Sequence, residues 1–571
     1  MPGNASIVIR GGTVLDGSGG DPFEADVAIR DGRIAAVGTN LPKGDDEIDA
    51  RGKVVTPGFV DVHTHYDAQV TWSNRITPSS WNGVTTLMMG NCGVGFAPCK
   101  PDQRDLLVKL MEGVEDIPEV VLTEGLPWNW QSFDEYLDRL GERSYDLDIV
   151  TQVPHAAVRV FVMGERAVNH EPANAEDRAA MARLAAAGIR SGALGFSTSR
   201  TLNHQTLAGN PTPTLRAEEA ELLEIADAVG ATGSGWLQVI SDFDDPEAEF
   251  DMLRRVVEKS GRPMTITVLQ RDAKPEEWRR LMERVATANA DGLHISGQVL
   301  TRPTGIMMGF EISQNPFLGR PSYNEIANLP LAEKLVILRQ PEFRRKLLAE
   351  ENPDAGLVRR LERWDRIFPL GDPPDYEPDE DKSIAARAAR EGRDPAELAY
   401  DLLLQKDGKA ILYRPLSNYS YGNLDTVKDM ISHPNTLIGL GDGGAHVGVL
   451  CDASAITYML THWTRDRVVG DKVSLPWAIR RLTHDNAAAI GLNDRGLLRP
   501  GYKADVNVID YDGLRLHAPE VVYDLPSGGR RLIQKTEGYA ATLVSGVPVQ
   551  RDGIETGKLP GRLVRGPQSP S

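Results

Sequence analysis

Two rhythms of apolar and polar positions run along this chain. Near its start, "SIVIRGGTVLDG" and "ADVAIRDGRIAAVG" are short β-branched runs separated by turn residues. Asp31-Gly32 is a dipeptide favoured in a type I′ hairpin turn, whose two central positions both need positive φ. The far end repeats the pattern in "ADVNVIDYDG" and "GYAATLVSGVPVQRDG". The two ends together predict one small β-sandwich domain, from residues 1–56 and 495–571. In the middle, apolar runs alternate with amphipathic segments such as "EDRAAMARLAAAGIRSG", as parallel strands joined by crossover helices require. Strands are predicted at "PGFVDVHTH", "GVTTLMMGNCG", "DIVTQVPH", "GALGFSTS", "GWLQVIS", "PMTITVLQ", "LHISGQV" and "TLIGLGDGG". Eight such units close a (β/α)8 TIM-like barrel, so the class is α/β and the barrel spans 57–494. An insertion near 309–407, between strands seven and eight, holds charged helical pieces. Its Pro/Asp-rich stretch "FPLGDPPDYEPDEDKS" reads as an exposed loop.

The composition narrows the partners. At 571 residues, 41% hydrophobic and 25% charged, the chain is ordinary globular protein. A net charge of −18 disfavours nucleic acid and anionic membrane, leaving a small-molecule substrate. Three cysteines cannot make a disulfide scaffold. No apolar run reaches the length of a membrane span, and the first residues lack the pattern of a signal peptide. A cytoplasmic enzyme is expected, with the oligomeric state open and a homo-oligomer compatible.

Chemistry collects where the apolar strand patterns stop. His63 and His65 close the first strand, and strand alternation points them the same way. Cys92 ends the second strand and Asp442 the last. Imidazole, thiolate and carboxylate are all ligands of Zn²⁺. Any one of these residues alone is unremarkable at a strand end; three strand ends of one barrel carrying such groups point to a shared metal.

"PGFVDVHTHYD" resembles the first-strand motif of the amidohydrolase superfamily, and the two β-rich ends match the small sandwich its members build from both termini. "NGVTTLMMGNCG", "GALGFSTS" and "GDGGAH" resemble its N-acyl-D-amino-acid deacylase (D-aminoacylase) branch, where a cysteine replaces a carboxylated lysine. The resemblance implies that His63, His65 and Cys92 are metal ligands, and that Asp442 is both ligand and catalytic proton carrier. The sequence departs from that pattern in one respect. Strands five and six lack the usual histidines and offer Gln238 and Gln270, weaker partners for zinc. One zinc ion is therefore favoured, with a second left open.

For substrate binding, Arg302 is placed to grip a carboxylate, His446 to touch substrate or metal, and His155 either to face the substrate as an oxyanion donor or to support the residues around it. His204 follows strand four and is placed to reach in from a loop. Trp72, Trp81 and Trp236 are candidates for an acyl pocket. The expected function is metal-dependent hydrolysis of the amide bond of a small N-acyl amino acid. Hydrolysis of cyclic amides or lactones is the alternative, followed by a non-catalytic scaffold with a decayed site.

Overall fold

The computed structural model describes residues 6–570. Eight parallel strands form one sheet in sequential order: β1 (Phe59–Asp61), β2 (Val84–Met89), β3 (Asp148–Pro154), β4 (Gly195–Arg200), β5 (Trp236–Ser241), β6 (Met264–Thr267), β7 (Ile295–Val299) and β8 (Thr436–Ile438). All eight strands read from the sequence are present. Their residues are almost entirely buried, as expected where helices cover one face and packed side chains fill the other. Among the described residues no helix is long and apolar enough to cross a membrane.

The ladder is continuous from β1 to β8, but no ladder joins β8 back to β1. The seam is closed by other means. The Asn486 side-chain amide donates to both Val60 O and Ile438 O at 2.8 Å. Just beyond the strand ends, Asp442 N–H donates to His63 O at 3.1 Å and His65 N–H to Gly443 O at 2.8 Å. These backbone bonds set the register of the two histidines against the aspartate before any side chain is considered.

The chain ends meet in a nine-stranded sheet. Val54–Pro57 lies between Ile7–Val14 and Val506–Ile509, so N- and C-terminal strands are neighbours. Ile9, Val27, Val506 and Leu543 belong to its core. Two details depart from the expected division. The hairpin of Glu520–Leu525 and Gly529–Ile533 leaves this sheet for the barrel, where Leu532 N–H donates to Val447 O. The tail after it runs along β3, with Ile149 bridged to Leu563.

The insertion begins and ends on paired antiparallel strands, Gly305–Met308 and Leu412–Pro415, with Phe368–Pro369 as a third. It therefore starts and stops a few residues outside the predicted 309–407. Its helices bury their own core around Phe310, Phe317, Leu338, Leu361 and Tyr400. The Pro/Asp-rich stretch is only in part the exposed loop expected: residues 371–373 and 379–382 are exposed, but the rest is not. Phe368, Leu370 and Tyr376 in it are buried, and Glu377 pairs with Arg467 and His462. Local composition favoured solvent, but a cation and an aromatic pocket elsewhere in the chain recruited this segment.

Candidate metal centre

β1 stops at Asp61, whose Oδ1 accepts the His63 N–H at 3.1 Å. The chain then presents His63 and His65 inward at the mouth. After β2 the chain turns sharply, with Gly90, Cys92 and Gly93 all at positive φ. Three of its amides are held by side chains. Gly90 N–H donates to Asp67 Oδ2, Cys92 N–H to Gln238 Oε1 at 2.7 Å, and Gly93 N–H to Ser197 Oγ at 2.9 Å. Cys92 is thus fixed by residues of β4 and β5.

The ligand atoms of His63, His65 and Cys92 lie within 4.8 Å of one another, and all three residues are buried. Cys92 Sγ is 3.2 Å from His63 Nε2. Asp442 Oδ1 lies 3.3 Å from His63 Nε2 and 3.6 Å from His65 Nε2. At 19% exposure the Asp442 side chain is the most accessible of the four, so it marks the open side. Four groups from three strand ends therefore converge on one point.

Both imidazoles are held from behind. His63 Nδ1 is hydrogen-bonded to Gln298 Oε1, and Gln298 is itself tied to Thr265 Oγ1 at 3.1 Å. His65 Nδ1 lies 3.2 Å from Glu115 Oε1 as an ion-pair contact, though the two make no hydrogen bond and both Glu115 oxygens are left without a hydrogen-bond partner. An outer acceptor such as Gln298 fixes which nitrogen is free to ligate, and the Glu115 carboxylate faces the Nδ1 side of His65. The sequence reading missed both residues. Gln298 carried a signal, a lone amide inside an apolar strand; Glu115, at the end of the helix Arg104–Glu115, carried none.

The electrostatics describe a site built for positive charge. Burial alone lowers the His63 pKa, but Cys92 and Asp442 raise it to about 9. Burial works against His65 too, while Glu115, Asp442 and Cys92 push it well above its ordinary value. Burial opposes ionisation of Cys92, yet His63 and His65 draw its thiol below the ordinary value. Asp442 is likewise opposed by burial and is held well below the usual carboxylate range by His65, His63 and His446. Cys92 and Asp442 are thus biased toward their anionic forms, which two imidazoles with inward nitrogens complement. This donor set fits a borderline-soft cation such as zinc.

The remaining expected residues divide. His446 sits at the mouth with φ +49, half-buried and near enough to act electrostatically on Asp442 and His204. His155 does not face a substrate: both its ring nitrogens are occupied, by Thr198 Oγ1 at 2.8 Å and Glu221 Oε1 at 2.9 Å. Arg302 is not a carboxylate clamp. It is fully buried, bonded to Asp452, Cys451 O and Ser454, and stacked 4.1 Å over Tyr376. The tryptophans line no acyl pocket. Trp236 begins β5 at the closed end of the barrel within an apolar cluster, Trp81 bonds Glu555, and Trp72 packs against Gly125. Gln238 and Gln270 are both turned to backbone duties, Gln270 accepting from Ser420 N–H.

The insertion meets this mouth. Ser313 donates to Asp116 Oδ2 at 2.8 Å, and Met307 N–H to Val449 O at 2.9 Å. It thus abuts both the turn after Asp442 and the end of the helix that supplies Glu115.

The sequence model of the amidohydrolase family matches residues 46–550. N-acyl-D-aspartate deacylase of Alcaligenes xylosoxydans xylosoxydans is 25% identical, with 99% of this chain and 95% of that protein covered. D-aminoacylase of the same organism is 24% identical, covering 98% and 97%. Among solved structures, the Bordetella bronchiseptica N-acyl-D-glutamate deacylase complexed with zinc and a phosphonate inhibitor aligns with a TM-score of 0.64. It is 23% identical, with 99% of this chain and 100% of that chain covered. At that identity the likeness speaks for the fold.

Proposed function

Because this chain belongs to the amidohydrolase family, and within it to the D-aminoacylase branch, we propose that it hydrolyses the amide bond of N-acyl-D-amino acids at a single zinc ion. It is an amidohydrolase, a hydrolase of carbon–nitrogen bonds other than peptide bonds. The observation that carries the reading is the convergence of His63, His65 and Cys92 with Asp442 Oδ1 at the open end of the barrel. His63, His65, Cys92 and Asp442 are the residues that would hold the metal. A zinc ion held there supplies a Lewis acid that acidifies water and polarises the amide carbonyl.

The chain's own residues account for the rest. Asp442, ionised and accessible, accepts the proton of the attacking water and returns it to the leaving nitrogen. Gln298 and Glu115 keep the two imidazoles aimed inward. Gln238, holding the Cys92 amide, keeps the thiolate at its turn. A single ion is supported by the backbone duties of Gln238 and Gln270 where a second ligand set would be required.

The test is a hydrolysis screen of N-acyl D- and L-amino acids, with and without zinc, alongside elemental analysis. D-selective, chelator-sensitive turnover with close to one zinc per chain is expected. In Asp442→Asn, kcat should fall by roughly 10²–10⁴-fold with circular dichroism unchanged. Full activity in metal-free protein, or in that variant, overturns the reading.

A further inference from the structure

Asp116 closes the helix Arg104–Glu115 with left-handed backbone, φ +52. Local rules argue against an aspartate there. Glycine or asparagine takes that conformation more easily, and a carboxylate at a helix C-terminus meets the negative end of the helix dipole. Residues that break local rules are found where a tertiary contact needs them, and Asp116 has two such contacts. Its Oδ2 accepts the Gly448 N–H at 3.1 Å and the Ser313 Oγ–H at 2.8 Å. One oxygen thus joins the helix end behind His65, the turn that follows Asp442 and the insertion.

The turn is held from both sides. Glu115 O accepts the Val447 N–H at 3.2 Å, so consecutive residues of the helix end hold consecutive amides of the turn. Ser313 N–H donates to Gly448 O at 3.1 Å, and Leu532 N–H to Val447 O at 2.7 Å. The packing leaves no room for a side chain: a Cβ at Gly448 would fall 2.2 Å from Ser313 Oγ and 2.6 Å from Asp116 Oδ2. Upstream, the same segment is tied to the two histidines, by Asp442 N–H to His63 O and His65 N–H to Gly443 O. Between these anchorages Asp442 and His446 have positive φ, +41 and +49. Non-glycine residues keep that conformation only where their surroundings fix it.

We propose that Asp116 is a positioning residue: by clasping Gly448 it sets Asp442 at the mouth, and through Ser313 it makes the insertion part of that setting. The assignment rests on the amide-hydrolase reading above, in which Asp442 carries the proton. Such a group must reach first the attacking water and then the leaving nitrogen, and small displacements of it are costly. Releasing the clasp frees the strained backbone at Asp442 and His446 to relax. His63 and Cys92 meanwhile keep their own hydrogen bonds to Gln298 and Gln238. Turnover therefore suffers before metal binding does.

Four variants of the zinc-loaded protein test it. Asp116→Gly suits the left-handed backbone but removes the acceptor, and should lose roughly 10–10²-fold in kcat with KM and zinc content unchanged. Asp116→Asn, which retains an acceptor oxygen, should recover most of the loss. Gly448→Ala should reproduce the glycine variant, and Ser313→Ala should lose less. Added to Asp116→Gly, Ser313→Ala should cost nothing more, because the bond it removes is already gone. Hydrogen exchange supplies a readout that needs no substrate. In Asp116→Gly, peptides spanning 442–449 and 305–315 should lose protection together. Wild-type kcat in Asp116→Gly and Gly448→Ala overturns the proposal, even if both are less stable to urea. Additive losses in the double variant, zinc lost in step with activity, or protection lost in only one of the two segments overturns it as well. Wild-type protein inert toward every N-acyl amino acid would instead indict the substrate reading, and the exchange result then decides the clasp.

Discussion

Arg302 and His204 are both buried, both polar and both near strand ends, yet their surroundings act on their charges in opposite directions. The Arg302 guanidinium gives its hydrogen bonds to Asp452, Cys451 and Ser454, so it holds the turn after Asp442 against β7. Arg302→Ala leaves the Asp452 carboxylate buried and unpaired, a loss of about 3–5 kcal/mol measurable by denaturant unfolding. Because the residue does not touch substrate, the variant's KM should match that of the wild type at temperatures where it remains folded. His204 differs: burial, with His446 and His65 nearby, lowers its pKa. Its pKa, about 3 when folded against an ordinary value near 6.5, gives a sign that can be checked. Between these values the unfolded chain binds a proton that the folded chain refuses, so stability is intact above pH 6.5 and is lost as pH falls. The slope attributable to His204 approaches about 1.4 kcal/mol per pH unit. Urea unfolding at pH 7, 6 and 5 should show it in the wild type and a shallower slope in His204→Gln; equal slopes would mean the folded ring is protonated.

At the level of elements, the centre depends on the turn that carries Cys92 and on two strands, β4 and β7, that contribute no metal ligand. The turn after β2 has left-handed backbone at Gly90, Cys92 and Gly93. A Cβ at Gly93 would fall 2.8 Å from Thr198 Cα and 3.0 Å from Ser199 N. Both are β4 backbone and cannot yield. Gly93→Ala is therefore expected to displace Cys92 and lower zinc occupancy, beyond the roughly 1 kcal/mol cost of the strained φ alone. Gln298 on β7 acts through His63 alone. Gln298→Leu should weaken zinc binding about 10–100-fold in chelator competition, with the fold retained. An unchanged affinity would show that His63 needs no outer acceptor.

On the scale of the molecule, three bodies share the burden of holding the mouth open and in register. The terminal sheet is joined to the barrel by a buried ion network in which Arg495 and Lys503 both reach Asp148 at the start of β3. The C-terminal tail continues this attachment. Gly561 is packed against the Leu147 backbone so closely that a Cβ would meet Leu147 O at 2.1 Å, and Leu563 and Val564 are buried. Each of those side chains is worth about 1.5–3 kcal/mol of burial. Truncation after residue 557 should therefore lower the melting temperature of the barrel as well as the sheet, in a single transition by calorimetry. Separate melting of two units would show that the tail does not couple them.

Much of this architecture was written locally. Apolar runs marked all eight barrel strands and the β-rich ends announced a shared sheet, whereas His63 and His65, expected to close the first strand, lie just past its end at Asp61. The strand runs follow from neighbours in sequence, where backbone geometry alone sets the period. The amidohydrolase motif likewise needed only adjacent residues. Partners and facing did not follow in this way. Whether Arg302 meets a substrate or Asp452, whether His155 is free or spent on Glu221, and whether an acidic Pro-rich stretch stays in solvent or docks on Arg467 are decided by groups more than fifty residues away. Glu115 reads in sequence like any helix-end glutamate, and only the packed barrel brings it behind His65. The physical reason is that a hydrogen bond or ion pair depends on distance and desolvation in three dimensions, and a chain that returns eight times to one mouth makes neighbours of residues that no local pattern connects.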